Sequence, residues 1–333
     1  MKWFLDLAGF TRPQIDDLLG LAARLHSSPE PDALRGKVLA LLFRDQCPHA
    51  RASMEAAMAR LGGQTTVLAP PGAYFEVGHE TTMDGETREH LLDAVSAFSR
   101  YSHAIGVRSL GYGTRLAADL REELFTQVSS KASVPLINLG SATNNPCQAL
   151  ADWHTLDTLD TPGRGGRFTL AWTWNPHAMP YSNASAVLHM AAMRGMRVTV
   201  LRPDAFALPR PVIEKARQAG QASGGAVLET SDRTEGMDGA HVVYASTWSA
   251  PNAYCDEAAH ASLSEACKSW CIDERWFAGA QENCWLMTSC APRRNADVVD
   301  DVLDSPRNVR PTQARSLVDV QMAVLYRMLV SNV

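Results

Sequence analysis

A group of polar residues follows the first long apolar run of the chain, and their types suit contact with a polar ligand. The run over 38–43 has the composition of a buried strand, and a helix-like run over 50–61 comes soon after it. The first N–H groups of a helix have no partner within the helix, so a strand, a short turn and a helix start form an anion site. Cys47 and His49 lie in that turn. Because a histidine is only partly charged near neutral pH, the segment predicts ligand contact through weak donors.

Two other polar residues stand where a site is expected. Arg108 comes directly after an apolar run over 103–107, and Gln148 lies at the start of a helix-like segment. An arginine at the end of a buried strand either forms an ion pair or binds a ligand, and we favour the ligand here. Gln148 either caps its helix or donates to a ligand, and both interpretations stay open.

Strand-like apolar runs alternate with helix-length segments along the whole chain. Alternation of this kind predicts parallel sheets covered by helices on both faces, with sites at the carboxyl ends of the strands. We expect helices over 88–101, 183–194 and 211–219. We expect strands over 38–43, 65–69, 103–107, 134–138, 168–173, 197–201, 226–229, 241–245 and 284–288. The predicted fold class is therefore α/β, with doubly wound parallel sheets.

The length of the chain favours two such domains. At 333 residues it is long for a single core. A helix over 150–160, followed by a Pro- and Gly-rich turn, joins the two halves. We expect one domain over 1–145 and a second over 146–310, with a strongly apolar-periodic helix within 311–333.

Composition excludes several classes of partner. A net charge of −5 lacks the basic surface that nucleic-acid binding requires, and no apolar run approaches the length of a membrane span. The N-terminal residues have no signal-peptide layout, so we expect a soluble, cytoplasmic protein. The seven cysteines form no Cys-x-x-Cys pair, and no histidine stands at zinc-site spacing. We therefore expect free thiols in a reducing compartment, no metal site and no cofactor.

The whole chain resembles the aspartate, ornithine and acetylornithine carbamoyltransferases, and several pieces are similar to the acetylornithine and succinylornithine branch. The tail Arg51-x-Ser53-x-Glu55 matches the end of the family's carbamoyl-phosphate motif, Ser-x-Arg-Thr-Arg-x-Ser-Phe-Glu. Other matching pieces lie over 82–90, 105–108, 145–148, 172–176, 242–248 and 290–295. The resemblance implies a transferase with two domains and a cleft between them, whose last helix packs back on the first domain.

The resemblance also places the catalytic groups. It implies catalytic roles for His49, Arg108, Asn145, Gln148 and Cys290. His49 replaces the first arginine of the motif, and Asn145 replaces the histidine that polarises the carbonyl group. On the C-terminal helix, Leu317 stands at the position of another arginine, with Arg315 two residues away. Since histidine and leucine offer no bidentate fork for phosphate, we predict weak binding of carbamoyl phosphate or none.

On the amino-acid side the resemblance implies a second set of contacts. Tyr74 takes the place of an aromatic loop residue that reaches a neighbouring subunit. The full set of expected substrate contacts is Cys47, Tyr74, Trp174, Asn175, His177, Trp248, Arg293 and Arg294. The family resemblance further implies a homotrimer with sites at subunit boundaries. In the acetylornithine branch a proline-rich loop forms a knot, and Pro176 and Pro180 predict the same knot here, with a segment near 242–251 threaded through a loop over 174–183.

Three functions remain open from the sequence. The first is an enzyme of arginine-related metabolism in which the amine of an ornithine-like or other amino acid attacks a carbonyl carbon. The second is an enzyme of specialised metabolism that uses a substrate without phosphate for condensation, cyclisation or lysis. The third is a non-catalytic binding or assembly protein.

Overall fold

A computed structural model describes residues 1–45, 47–68, 74–78, 81–254, 256–289 and 291–330. The chain forms two compact units. Unit 1 comprises Met1–Ala151 and Ala314–Val333, and unit 2 comprises Asp152–Gln313. Each unit contains one five-stranded sheet in which the paired strands are parallel. The predicted α/β class, with parallel sheets in two domains, is confirmed.

The nine predicted strands are all present within two residues of their expected ends, and three two-residue strands are additional. The strands of the described residues are β1 (Trp3–Phe4), β2 (Val38–Phe43), β3 (Gln64–Leu68), β4 (Phe75–Glu76), β5 (Glu89–His90), β6 (Ala104–Arg108), β7 (Leu136–Gly140), β8 (Arg167–Trp172), β9 (Arg197–Leu201), β10 (Ala226–Thr230), β11 (Val242–Ser246) and β12 (Trp285–Thr288).

The helices of the described residues are α1 (Arg12–Ser27), α2 (Pro48–Arg60), α3 (Leu91–Tyr101), α4 (Leu116–Leu120), α5 (Glu123–Lys131), α6 (Pro146–Thr158), α7 (Ser182–Met193), α8 (Arg210–Ser223), α9 (Arg233–Met237), α10 (Glu257–Ser264), α11 (Asp300–Leu303) and α12 (Arg310–Leu329). Short 3-10 helices span Leu7–Gly9, Asp204–Phe206, Pro251–Ala253, Glu265–Cys267 and Glu274–Gly279. Among these described helices none is both long and apolar enough to cross a membrane.

The helix predicted over 88–101 begins later than expected. His90 is extended, and its imidazole accepts a hydrogen bond from the N–H of Leu92, so it caps α3. Glu89 and His90 pair with β4 instead of extending the helix. The prediction was wrong for these residues because the His90 side chain caps the helix, which therefore begins at Leu91. The apolar periodicity gives no such starting point.

Both sheets reverse their strand order at one point. The order is β1-β7-β6-β2-β3 in unit 1 and β10-β9-β8-β11-β12 in unit 2. The reversal lies between β2 and β6 in unit 1 and between β8 and β11 in unit 2. The strands that follow these two strands in the chain lie on opposite sides of it. Ligands of open α/β sheets bind outside the carboxyl ends of strands at such a reversal. In register, Phe43 of β2 pairs with Arg108, and Trp172 of β8 pairs with Ser246.

Each unit buries its own apolar core around these central strands. Leu42 and Val107 pack with residues of α3 and α5 in unit 1, whereas Val243 and Leu286 pack with Trp276 in unit 2. Burial of each such side chain contributes roughly 1.5–3 kcal/mol to the stability of its unit. The cores thus fix the strand ends that carry the predicted site residues.

Helix α12 contacts α1 within unit 1. His26 of α1 binds the carboxylate of Asp319 at 3.1 Å, and Tyr326 donates to Glu30 at 2.9 Å. Asp319 is almost fully buried, so an imidazole partner offsets part of the cost of burying its charge.

Two segments of unit 2 bear on the predicted knot. The N–H of Ser249 donates to the carbonyl of Met179 at 2.9 Å, so the stretches over 174–183 and 242–251 are in contact. Trp172 Nε1 also donates to the carbonyl of Trp248 at 2.9 Å. The threading of one segment through the other stays a prediction.

Candidate functional site

The carboxyl end of β2 in unit 1 leads into α2. Cys47 is the N-cap residue of this helix, and its side chain makes no capping hydrogen bond. Pro48 occupies the first helical position, where it lacks the N–H that another residue would offer to an anion. His49 is exposed in the first turn. The helix start therefore has fewer donors than a usual anion site.

Arg108 does not face this helix start with a free guanidinium group. Its Nε donates to Asp45 Oδ2 at 2.9 Å, and its Nη1 donates to the carbonyl of Leu139 at 3.1 Å. Only 11% of its side chain is exposed. Asp45 thus neutralises the charge of Arg108 directly across the strand-order reversal.

A second arginine at this edge is also bound to the protein. Arg44 Nη1 donates to the carbonyls of Ser109 at 3.0 Å and of Gly111 at 2.6 Å. Burial lowers the pKa of Arg44, and the charges of Asp45 and Asp119 oppose that change. Arg44 joins the end of β2 to the residues after β6, so its role is structural.

The start of α6 carries the two amide residues. Asn145 Oδ1 accepts from the N–H of Gln148 at 3.4 Å, which is the contact of a helix N-cap. Both side chains are partly exposed, and both have further contacts. Cys147 between them is buried, and burial raises the pKa of its thiol to about 12, so it stays neutral. The edge of α6 presents amides and no charge.

Three other residues that the sequence analysis named lie in unit 1, on the loop before β4 and on α12. Tyr74 is partly buried and packs against Phe75 with ring centroids 5.0 Å apart. On α12, Arg315 is exposed while Leu317 is partly buried. Cys290 of unit 2, expected to be catalytic, lies outside the described residues.

The turn that follows β8 contains three residues that the sequence analysis predicted to contact substrate. Trp174 is partly exposed, but its Nε1 is buried and has no hydrogen-bond partner among the residues that the structure describes. Asn175 is buried; its Oδ1 accepts from the N–H of His177 at 3.0 Å, and its carbonyl binds His260 Nε2 at 2.9 Å. His177 is exposed, 3.7 Å from Glu257. The turn therefore brings Trp174 and His177 to the surface on a backbone fixed from beneath.

Trp248 lies elsewhere. It is 0% exposed, and its Nε1 donates to the carbonyl of Phe206 at 2.8 Å. This placement assigns the indole to the core of unit 2, although the sequence suggested a substrate contact. An aromatic residue just after a strand fits either role by sequence alone.

A buried carboxylate organises the same edge of unit 2. Asp297 accepts from the N–H of Arg293 at 2.7 Å and from the hydroxyl of Thr173 at 3.2 Å. Thr247 lies 3.3 Å from the same carboxylate. Burial raises the pKa of Asp297, and these hydrogen bonds partly oppose the rise. Asp297 therefore holds the ends of β8 and β11 beside the Arg293 loop.

The two arginines of that loop differ. Arg294 is bound to Asp300 at 2.7 Å and to Asp304 at 2.5 Å, and these carboxylates raise the pKa of its guanidinium. Arg293 is exposed, and its guanidinium has no ion-pair partner in the part of the chain that the structure describes. Arg293 is thus the better candidate to bind a substrate carboxylate.

The sequence missed Asp45, Glu122 and Asp297. Asp45 stands two residues after a buried strand, and that position was a usable signal.

The described residues contain no cluster of three or more metal-ligating side chains, and Cys47, Cys147, Cys267, Cys271 and Cys284 are free thiols.

Comparison with known proteins finds similarity over the whole chain. The carbamoyl-phosphate binding domain of aspartate/ornithine carbamoyltransferase matches residues 2–158, and the Asp/Orn binding domain of the same family matches residues 177–328. N-acetylornithine carbamoyltransferase of Xanthomonas campestris pv. campestris is 30% identical over 331 residues, which cover 98% of this chain and 97% of the relative. Ornithine carbamoyltransferase of Parafrankia sp. is 28% identical, with 91% of this chain and 87% of the relative covered.

Solved structures agree with this similarity. Acetylornithine transcarbamylase complexed with acetylcitrulline superposes with a TM-score of 0.92 at 30% identity, covering 99% of each chain. A mutant of N-acetyl-L-ornithine transcarbamylase, complexed with carbamyl phosphate and N-succinyl-L-norvaline, also gives 0.92 at 29% identity, covering 98% of this chain and 100% of the other.

Proposed function

This chain belongs to the aspartate/ornithine carbamoyltransferase family, on its acetylornithine branch, and we propose that it catalyses attack by the amine of an ornithine-like amino acid on a carbonyl carbon. It is a carbamoyltransferase-family enzyme, and so a transferase. The observation that carries the proposal is similarity to both domains of the family along the whole chain. We place it in cytoplasmic amino-acid metabolism related to arginine biosynthesis.

The proposed chemistry needs donors for a developing oxyanion. When an amine attacks a carbonyl carbon, negative charge builds on the oxygen, and fixed donors lower the barrier there. Asn145 and Gln148 can donate their side-chain N–H groups. His49, Arg108 and Cys290 complete the catalytic set that we propose, and Cys47 and Tyr74 contact the substrate.

On the amino-acid side, Arg293 is the proposed partner of the substrate carboxylate. Arginine binds carboxylates through two parallel hydrogen bonds, and its exposed guanidinium has no competing ion pair in the described residues. Trp174, Asn175 and His177 form the proposed wall beside it. Trp248 and Arg294 act in this account through packing and loop structure.

One observation favours a second candidate, in which the other substrate carries no phosphate. Arg108, the retained cation of unit 1, is already paired with Asp45. At the same strand ends the charges of Asp45 and Asp119 also act on Arg44, which is bound to the carbonyls of Ser109 and Gly111. Because both arginines already bind protein oxygen atoms, they are less available to a phosphate dianion, whereas a neutral carbonyl compound needs no cation there. Condensation, cyclisation or lysis in specialised metabolism are the reactions that fit such a substrate.

We also propose a homotrimer with sites at subunit boundaries. The family resemblance places Tyr74 in the loop that would reach a neighbour, and partly exposed aromatic residues are enriched at interfaces. Light scattering should give a mass of three chains; a single mass near the 36.3 kDa of one chain would reject this assembly.

A substrate panel tests the proposed function. The purified protein is incubated with carbamoyl phosphate and, in separate reactions, with ornithine, N-acetylornithine or N-succinylornithine, and products are read by mass spectrometry. Product formation that Asn145→Ala and Arg293→Ala each reduce, while the exposed control Ala59→Ser does not, supports the first candidate. Absence of product with every amine, together with turnover of carbamate-type or amide donors without phosphate, supports the second.

A further inference from the structure

Glu122 combines two costly features at the start of α5. Its backbone is left-handed, with φ 53° and ψ 34°, a conformation that a residue with a side chain seldom adopts. It holds the N-cap position of α5, yet its side chain makes no hydrogen bond to that helix. Strain of this kind persists where the surrounding structure requires it, often at functional sites.

The side chain is used on a different loop. Glu122 Oε1 accepts from the Ser141 hydroxyl at 2.8 Å, the Thr143 N–H at 2.7 Å, the Thr143 hydroxyl at 2.7 Å and Asn144 Nδ2 at 3.1 Å. These donors all lie between β7 and α6. One carboxyl oxygen thus accepts all four hydrogen bonds, and it ties this connection to the start of α5.

The loop is also tied to its two ends. Asn138 of β7 donates through Nδ2 to the Ser141 hydroxyl at 2.9 Å, and the N–H of Ser141 donates to the carbonyl of Asn144 at 2.8 Å. The next residue is Asn145, whose side chain caps α6. A shift of the loop would therefore move Asn145 and the first turn of α6.

The Glu122 carboxyl group is buried and accepts several hydrogen bonds, which is unusual for a residue at a helix start. Burial raises the pKa of Glu122, and the hydrogen bonds from Thr143, Ser141 and Asn144 act in the opposite direction. A desolvated carboxylate on a strained backbone is more than a helix start requires, because Ser, Asp or Asn would cap α5 at lower cost.

We propose that Glu122 is a positioning residue that holds the loop over 141–144, and through it directs the amides of Asn145 and Gln148. The part of this inference that concerns catalysis rests on the role proposed above for those two amides. The part that concerns the loop does not depend on any substrate.

Hydrogen exchange read by mass spectrometry tests the loop directly. Glu122→Gly removes the carboxylate and also relieves the left-handed strain, so it should fold; Glu122→Gln keeps an acceptor oxygen without the charge. We expect the Thr143 amide to exchange about tenfold faster in E122G, with E122Q between E122G and the wild type. Glu123→Gln is the matched control, since Glu123 is the next residue and pairs with Arg121 at the surface.

The pattern of exchange decides the outcome. Faster exchange confined to peptides over 136–150 supports positioning, whereas unchanged exchange there, or an even increase across unit 1, overturns it. If a transfer reaction is found, E122G and N145A should lower kcat less than additively when combined, with a smaller change in KM. Additive losses would overturn the link to Asn145. Absence of any turnover would count against the proposed function alone, because the exchange result still decides the loop.

Discussion

Each unit has a strand-order reversal between two central parallel strands, and the two units place different side chains there. In unit 1 the strands that meet at the reversal lead into Arg44 and Arg108, and both guanidinium groups bind oxygen atoms of the protein. In unit 2 the corresponding strand ends bind Asp297, and the adjacent Arg293 stays exposed. A reversal between parallel strands therefore carries paired arginines in one unit and lies beside an exposed arginine in the other.

The difference separates what a fold supplies from what a site requires. A parallel sheet with a helix start supplies backbone donors at its carboxyl edge whichever residues are present. Binding a phosphate dianion also needs unpaired cations, whereas Arg44 and Arg108 at this edge bind carbonyl groups and Asp45. Family membership is secure from the whole chain, whereas the donor substrate depends on these few side chains.

The largest expected effect comes from restoring the cations of unit 1. His49→Arg combined with Leu317→Arg adds two groups that can each form charge-assisted hydrogen bonds worth about 1.5–3 kcal/mol. Affinity for carbamoyl phosphate should rise about a hundredfold or more by calorimetry. Ala59→Arg, which adds one guanidinium group at the exposed far end of α2, controls for a general effect of added positive charge. An unchanged affinity in the double variant would mean that unit 1 is not the phosphate end.

A packing test distinguishes Trp174 from Trp248 in unit 2. Trp248→Ala removes a fully buried indole and its hydrogen bond to Phe206, so it should lower the free energy of unfolding by about 3–5 kcal/mol. Trp174→Ala removes a partly exposed ring and should cost clearly less. Denaturant unfolding of both variants measures the difference. Equal losses would place Trp174 in the core as well, and would remove it from the proposed substrate wall.

Releasing Arg108 is the next test in size. Asp45→Asn removes the charge that neutralises Arg108, so the binding of inorganic phosphate should tighten by about tenfold, equivalent to roughly 1.4 kcal/mol. Glu55→Gln, which breaks the surface pair with Arg51, should change phosphate binding little. If both variants behave alike, the Arg108–Asp45 pair does not govern anion binding.

The smallest expected effect is the pH dependence of Asp297. Its folded-state pKa is raised by burial, so the folded protein holds this proton more tightly than the unfolded chain. The stability from that proton is fully present below the unfolded pKa and is lost as the pH rises through the raised value. Asp297→Asn should therefore gain in Tm relative to the wild type as the pH rises above about 4, the usual pKa of an aspartate in the unfolded chain. A Tm difference that does not vary with pH would show that Asp297 titrates as an ordinary carboxyl group.

Much of the fold was predictable because buried parallel strands leave continuous apolar runs in the sequence. The run that forms β2, for example, is apolar at all six positions. The strands β1, β4 and β5 were missed, since two residues carry no pattern. The start of α3 was missed because His90 caps the helix through a side-chain hydrogen bond, which the sequence pattern does not reveal.

The candidate site was predictable only in part. Sequence position placed Arg108 and Trp174 at strand ends, where they lie. It could not reveal that Asp45 pairs with Arg108, or that Glu122 binds a loop about twenty residues away, because such partners are set by tertiary packing. The same limit explains Trp248, whose burial depends on contacts that its neighbours in sequence do not indicate.

The central claim is that unit 1 binds carbamoyl phosphate weakly or not at all, because the arginines at its strand ends already bind protein oxygen atoms. Calorimetric titration of carbamoyl phosphate into the wild-type protein tests it most directly, with His49→Arg/Leu317→Arg as the positive control in the same buffer. The account predicts no measurable heat, or a dissociation constant in the millimolar range, for the wild type. A micromolar dissociation constant for the wild type would contradict it.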